Sequence, residues 1–138
     1  QAYHTINDIE RIGDHAENIV ELAIQKYEND ITLSNEGDKE VRQLFEVTLK
    51  SISIAIEAFE SNEINNGDEV EKIEEEIDSL EKQFRENNIN RLSAKTCLAD
   101  AGIMFFDLLS NLERIGDHAN NIATAKEKPT HKLHTELC

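Results

Sequence analysis

One stretch of eleven residues occurs twice in this chain. Residues 9–19 read Ile-Glu-Arg-Ile-Gly-Asp-His-Ala-Glu-Asn-Ile, and residues 112–122 read Leu-Glu-Arg-Ile-Gly-Asp-His-Ala-Asn-Asn-Ile. The two copies are identical at nine positions, with a constant offset of 103. A match of that length within 138 residues indicates an internal duplication. The fold must therefore accommodate the same motif in two places.

Each copy of the motif is predicted to lie on an amphipathic helix, because its apolar residues recur at intervals of three and four. On such a helix Glu113 and Asp117 lie one turn apart on a flank that faces away from the core, and Glu10 and Asp14 occupy the same places in the first copy. Acidic pairs at this spacing are common on solvated helices. This pair is a candidate site because the polar residues around it are duplicated too, whereas core packing alone would preserve only the apolar positions.

The composition favours a helical protein and excludes some classes of partner. The chain has 5% aromatic residues, one proline and a formal net charge of −15, a mix typical of regular, well-separated helices. The negative charge argues against binding to nucleic acid and to anionic lipid headgroups. No apolar run approaches the roughly 20 residues that cross a bilayer. Two cysteines make no disulfide framework, which favours a reducing cytoplasm.

The hydrophobic periodicity predicts four helices and no strand. The helices are expected near residues 1–28, 38–65, 68–92 and 97–127. Short connections between them, including a loop up to residue 37, predict an all-α, antiparallel up-and-down four-helix bundle. The tail 129–138 contains His131, His134 and Cys138, whose spacing suits a metal ion on a helical turn. A terminus without regular structure is the preferred interpretation of this tail.

The duplicated motif resembles the repeated motif of the PhoU family of phosphate-uptake regulators. Proteins similar to PhoU consist of two three-helix repeats. They bind metal ions, typically iron or zinc clusters, through Glu/Asp-x-x-x-Asp motifs on the second and third helix of each repeat. The resemblance implies one PhoU-like domain over residues 1–128, in which 38–128 form a complete repeat and 1–28 are the last helix of an earlier one.

The resemblance also implies a metal site on the last two helices. Glu113 and Asp117 match the third-helix motif, and Glu74 and Asp78 match the second-helix motif. With the turn between these helices centred near residue 94, Glu74 is predicted to lie between Glu113 and Asp117. Two glycines beside the apolar stripe predict a close approach of the third helix to the fourth. They are Gly102 and Gly116.

A second site on the first helix is expected to be incomplete. Glu10 and Asp14 match the third-helix motif, but the helix that would complete their site is expected upstream of Gln1 in a longer protein. Apolar surface left bare on the first two helices then predicts a homodimer through that face. Asn18 and Asn121 follow the two aspartates by one turn and are candidates to hydrogen-bond to the ligand carboxylates.

The chain is therefore expected to be a regulatory module without catalysis. Residues 91–109 resemble the PhoU-like domain that follows the membrane portion of bacterial sodium/phosphate cotransporters. The preferred hypothesis is a domain on the cytoplasmic side of the inner membrane, with the transmembrane transporter in the same polypeptide. The alternatives are a stand-alone PhoU regulator of a phosphate ABC transporter and its sensor kinase, or a bundle that dimerises without metal. A ferritin-like di-metal oxidase is disfavoured because it needs Glu-x-x-His pairs that point into the core.

Overall fold

The part of the chain that the structure describes folds into four helices of equal length. The computed structural model describes residues 2–61 and 67–125. The helices are α1 (Ala2–Glu28), α2 (Asn35–Ser61), α3 (Gly67–Ser93) and α4 (Ala99–Ala125), and the described ranges contain no strand. The predicted all-α, antiparallel four-helix bundle is confirmed. The predicted end of the second helix at residue 65 and the tail that carries His131, His134 and Cys138 lie outside the described residues.

The second helix begins earlier than predicted because a serine caps it. The side-chain oxygen of Ser34 accepts a hydrogen bond from the backbone N–H of Gly37 at 3.0 Å. The carbonyl of Ser34 accepts one from the N–H of Asp38 at 2.9 Å. Serine is a preferred N-cap residue for this reason. The predicted loop up to residue 37 is therefore wrong in its last three positions, and α2 begins at Asn35 rather than residue 38.

Helices α1 and α3 are each followed, two residues after their last helical residue, by a residue in the left-handed backbone region. Asp30 has a φ of 52° and Lys95 a φ of 57°. After α3, the N–H of Thr96 donates back to the carbonyl of Arg91 at 2.9 Å, which satisfies a carbonyl of the last turn. The turn between α3 and α4 spans residues 94–98, later than the predicted centre near residue 94. Because the turn lies later in the sequence than predicted, the register of α3 against α4 differs from the predicted one.

Helix α4 occupies the centre of the bundle. It packs against each of the other three helices, and α2 and α3 also pack against each other. Its buried apolar residues form most of the core: Ala101, Met104, Phe105, Leu109, Leu112, Ile115, Ala119, Ile122 and Ala123. Gly102 and Gly116 admit α3 as predicted, since a Cβ would lie 2.6 Å from Leu92 Cδ2 at the first and 2.8 Å from Ile77 Cδ1 at the second.

Helix α1 carries the same apolar pattern as α4 but leaves much of it exposed. Ile6 is 62% exposed, whereas its equivalent at an offset of 103, Leu109, is fully buried. Ile9 is 52% exposed against 1% for Leu112. Packing of α1 against other helices is largely confined to α4. The same sequence pattern is therefore core in one helix and surface in the other.

The two environments predict opposite effects for the same substitution. Gly13→Ala should stabilise the protein by up to about 1 kcal/mol, because the new Cβ meets open space and alanine favours the helix. Gly102→Ala should destabilise it by about 1 kcal/mol, because overpacking against Leu92 exceeds that gain. Urea unfolding followed by circular dichroism measures both changes. Equal effects of the two substitutions would contradict the difference in packing.

Candidate functional site

The carboxylates predicted as metal ligands line one flank of the α3–α4 pair. Glu74 and Asp78 lie on α3, and Glu113 and Asp117 lie on α4. Glu74, Glu113 and Asp117 each lie near enough to a carboxylate of the other helix to be repelled by it. The structure therefore brings the two predicted acidic pairs onto a common surface.

Burial and mutual repulsion disfavour the charged form of three of these groups. Partial burial raises the pKa of Glu113, and repulsion from Glu81, Asp117 and Asp78 raises it further, against an opposing effect of Arg85. Partial burial likewise raises the pKa of Asp117, and repulsion from Asp78 adds to it. Each group thus loses hydration and gains a negative neighbour, which a positive charge in the same place would offset.

Burial and repulsion also raise the pKa of Glu74, which lies at the other end of the flank. Partial burial is the largest cause of its raised pKa, and repulsion from Asp78 and Asp117 follows. A hydrogen bond from Asn120 opposes the rise. The Nδ2 group of Asn120 donates to Glu74 Oε2 at 2.8 Å.

The predicted register of the site is wrong by about one helical turn. Asp78, rather than Glu74, is the α3 residue that repels both Glu113 and Asp117. The cause is the later turn between α3 and α4, which slides α3 along α4. As a consequence Glu81 also reaches the flank and is the strongest repulsive neighbour of Glu113. The acidic flank therefore consists of Glu74, Asp78, Glu81, Glu113 and Asp117.

Besides Glu81, two residues at the ends of this flank were missed from the sequence. Arg85 donates from Nε to Glu81 Oε1 at 2.6 Å and from its Nη2 group to Ser110 Oγ at 3.2 Å, which closes one end of the flank. Asn120 lies at the other end, and its buried Oδ1 has no hydrogen-bond partner among the described residues. The sequence did carry a signal for Asn120, because the motif copies differ there: the equivalent residue is Glu17.

The donor set of the flank suits a hard or borderline cation, since all its charged ligands are carboxylate oxygens. In their present rotamers no three acidic, histidine or cysteine side chains of the described ranges converge closely enough to hold one ion. A cation held by Glu113, Asp117, Asp78 and Glu74 would therefore require rotation of these carboxylates, for which the partly exposed flank leaves room.

The histidines of the motif lie away from the acidic flank, at the contact between α1 and α4. His15 Nδ1 lies 3.1 Å from Asn111 Oδ1, and His118 Nδ1 lies 2.9 Å from Asp8 Oδ1. Asp8 and Asn111 are themselves equivalent at the offset of 103. The two imidazole rings stack with centroids 5.7 Å apart. The two copies of the motif thus meet about an approximate two-fold axis.

The two predicted supporting asparagines belong to this contact as well. Asn18 donates to Asn111 Oδ1 at 3.1 Å, and Asn121 donates to Asp8 Oδ1 at 3.4 Å. These hydrogen bonds run between α1 and α4 rather than to the candidate metal ligands. A role for Asn18 and Asn121 in orienting those ligands stays a prediction.

Glu10 and Asp14 are not brought together with the other acidic pair. Both are exposed on α1. A Cβ added at Gly13, between them, would meet no neighbouring atom within 4 Å, whereas Ile77 of α3 fills that place at Gly116. The described residues therefore place no acidic helix beside Glu10 and Asp14, and an incomplete metal site there stays a prediction.

The raised pKa values predict how stability depends on pH without metal. The folded state holds protons on Glu74, Glu113 and Asp117 more tightly than the unfolded chain does. These groups therefore lower the free energy of unfolding as the pH rises from about 4 through their raised pKa values. In chelator-treated protein Asp117→Asn should flatten this decline in Tm.

Asp14→Asn is the matched control for that measurement, since it removes the same charge from the other copy of the motif. It should leave the decline of Tm with pH as in the parent protein. An identical pH dependence in all three proteins would show that repulsion at the α3–α4 flank is negligible.

Comparison with known proteins identifies relatives over most of the chain. A family model described as "PhoU domain" matches residues 41–125. The phosphate-specific transport system accessory protein PhoU homolog 1 of Thermotoga maritima is 34% identical over 116 residues, 84% of this chain and 49% of that protein. The Clostridium acetobutylicum homolog is 26% identical over 85% of this chain and 52% of its own length.

A third relative, from Pseudomonas aeruginosa, is also named a phosphate-specific transport system accessory protein PhoU homolog. It is 29% identical over 86% of this chain and 48% of its own length. The chain thus spans about half the length of these relatives. No solved structure matches it. Among the described residues, no helix has the length and apolar character needed to span a bilayer.

Proposed function

The chain belongs to the PhoU family, and from that premise we propose that it is a metal-binding regulatory module of bacterial phosphate uptake. The observation that carries this proposal is the acidic flank of Glu74, Asp78, Glu81, Glu113 and Asp117. Burial and repulsion there raise the pKa of three of its carboxyls, those of Glu74, Glu113 and Asp117. A bound cation would relieve that repulsion and hold α3 against α4.

Within this proposal the candidate ligands are the two predicted acidic pairs. Asp78 lies in range of both Glu113 and Asp117, so these three are the first candidates, and Glu74 extends the set toward Asn120. Iron and zinc are the metals that the family resemblance implies, and both accept carboxylate oxygens. A cation cluster on the flank would also present positive charge to an anion such as phosphate.

The names of the relatives support a phosphate transport system as the regulated partner. All three are accessory proteins of phosphate-specific transport systems, which supports regulation of phosphate uptake without catalysis. We infer action on the cytoplasmic side of the inner membrane. Those names fit a stand-alone regulator of a phosphate ABC transporter as well as they fit a domain attached to a sodium/phosphate cotransporter, and the resemblance within residues 91–109 favours the attached domain. Sequencing the parent gene for transmembrane helices separates the two arrangements.

Metal content is the direct test of the proposed site. Untagged protein purified without chelator should contain bound metal by elemental analysis, and Glu113→Gln/Asp117→Asn should lose it. The matched control is Glu10→Gln/Asp14→Asn, which makes the same changes in the copy of the motif that has no acidic neighbour helix and should keep the metal. If the Glu113/Asp117 variant retains its metal, the acidic flank is merely solvated.

Thermal stability provides a second readout of the same proposal. A cation that binds only the folded state stabilises it by about 2.7 kcal/mol at a free concentration of about 100 times Kd. Adding Zn²⁺ or Mn²⁺ to chelator-treated protein should therefore raise the Tm of the parent and of the Glu10/Asp14 control. The Glu113/Asp117 variant should show no such rise. An equal rise in all three proteins would indicate binding elsewhere.

A further inference from the structure

The side-chain amide of Asn120, at the Glu74 end of the acidic flank, is satisfied on one side only. Its Nδ2 group donates to Glu74 Oε2 at 2.8 Å. Its Oδ1 atom is buried and has no hydrogen-bond partner among the described residues. A buried carbonyl oxygen in this state has lost its water without gaining a donor, which costs free energy. The observed orientation of the amide is therefore unfavourable on its buried side.

The buried surroundings of the amide suit its nitrogen better than its oxygen. A cavity of about 10 Å³ lies beside it, with Asn120 and Ser51 as its polar lining residues and Ile54, Val70, Ile73 and Ala123 as its apolar ones. Ser51 Oγ donates its proton to the carbonyl of Gly116 at 3.5 Å. The hydroxyl thus has no proton left for Asn120 Oδ1, but its lone pairs can accept a hydrogen bond from an amide nitrogen.

A half-turn of the amide exchanges its nitrogen and oxygen and brings a second oxygen beside Glu74. Asn120 Oδ1 then takes the place of Nδ2, 2.8 Å from Glu74 Oε2. Two oxygens at that separation repel each other unless a cation binds both. In an octahedral shell with oxygens at about 2.0–2.1 Å from the ion, neighbouring ligands are roughly 2.9 Å apart. The separation is therefore the one that two ligands of a single cation require.

We propose that Asn120 Oδ1 is a ligand of the cation at the acidic flank, and that the amide turns over when the cation binds. This inference rests on the proposed function of that flank. A neutral amide oxygen is a ligand that hard cations such as Mg²⁺ and Mn²⁺ accept readily, whereas Zn²⁺ favours nitrogen and sulfur. Asn120 thus shifts the preference of the flank toward hard cations.

The difference between the two motif copies fits this role. The equivalent of Asn120 in the first copy is Glu17, at one of only two positions where the copies differ. Glu17 is exposed on α1. A glutamate at position 120 would add a sixth negative charge to a flank that already holds five carboxylates. Asparagine instead supplies an oxygen ligand without adding to their repulsion.

Two substitutions separate an oxygen ligand from a hydrogen-bond donor. Asn120→Ala removes both groups and should weaken Mn²⁺ binding by at least about tenfold, since even residues that only support metal ligands contribute that much. Asn120→Asp keeps an oxygen and loses the donor, and should bind Mn²⁺ at least as tightly as the parent. The electron paramagnetic resonance signal of free Mn²⁺ gives Kd for each chelator-treated protein. The matched control, Glu17→Ala in the first copy, should leave Kd unchanged.

A spectroscopic readout follows the amide itself. Mg²⁺ added to ¹⁵N-labelled parent protein should shift the side-chain amide signals of Asn120 and leave those of Asn18 in place. If those of Asn120 do not move, or if Asn120→Asp loses as much Mn²⁺ affinity as Asn120→Ala, the amide is only a donor to Glu74 and the proposal is overturned. If Glu113→Gln/Asp117→Asn binds Mn²⁺ like the parent, the acidic flank is not the site and the proposed function fails with it.

Discussion

The close packing of α3 against α4 is the contact on which the arrangement of the candidate site depends. Gly102 and Gly116 remove the side chains that would hold α3 away, and Leu92 and Ile77 fill the space. The approach carries the carboxylates of α3 into range of those on α4, which repel them. Near the end of α3, Arg91 and Glu40 form a largely buried ion pair of 2.7 Å that ties α3 to α2, and the Arg91 guanidinium lies over the Phe105 ring. Packing between α3 and α4 thus keeps these carboxylates close together despite their mutual repulsion.

The duplication gives one motif two environments. In α4 the apolar stripe is core, the glycine admits a neighbouring helix and the acidic pair meets a second acidic pair. In α1 much of the same stripe is exposed, and Ile12 and Ile19 pack only partly against the core. The polar side pairs with α4, through His15 with Asn111 and Asp8 with His118. The motif therefore serves three contacts on three sides of a helix: a core side, a polar side that pairs with its own copy, and an acidic flank. This division explains why its polar residues are duplicated along with its apolar ones.

The sequence was sufficient for the helical class, the four-helix bundle and the flank on which the acidic residues lie, because these follow from periodicity. It was also sufficient for the close approach at Gly116, where a helix-interior glycine needs a packing reason. It was not sufficient for the register of α3 on α4. That register depends on the turn through Lys95, a left-handed residue that is not glycine and so carries no sequence signal. The position of Glu81 beside Glu113 could not be predicted for the same reason, because it depends on that register. The hydrogen bonds of Asn18 and Asn121 could not be predicted either, because they depend on the packing of the polar side of α1 against α4.

The proposed cation site is the α3–α4 flank as a whole, rather than either acidic pair alone. Nuclear magnetic resonance with Mn²⁺ as a paramagnetic probe tests it residue by residue in chelator-treated protein. At low Mn²⁺ concentration, the backbone amide signals of Asp78, Glu113 and Asp117 should broaden first, and those of Glu10 and Asp14 should remain sharp. Broadening that is equally strong at both copies of the motif, or spread over all exposed acids, would contradict a site made by the packing of α3 against α4.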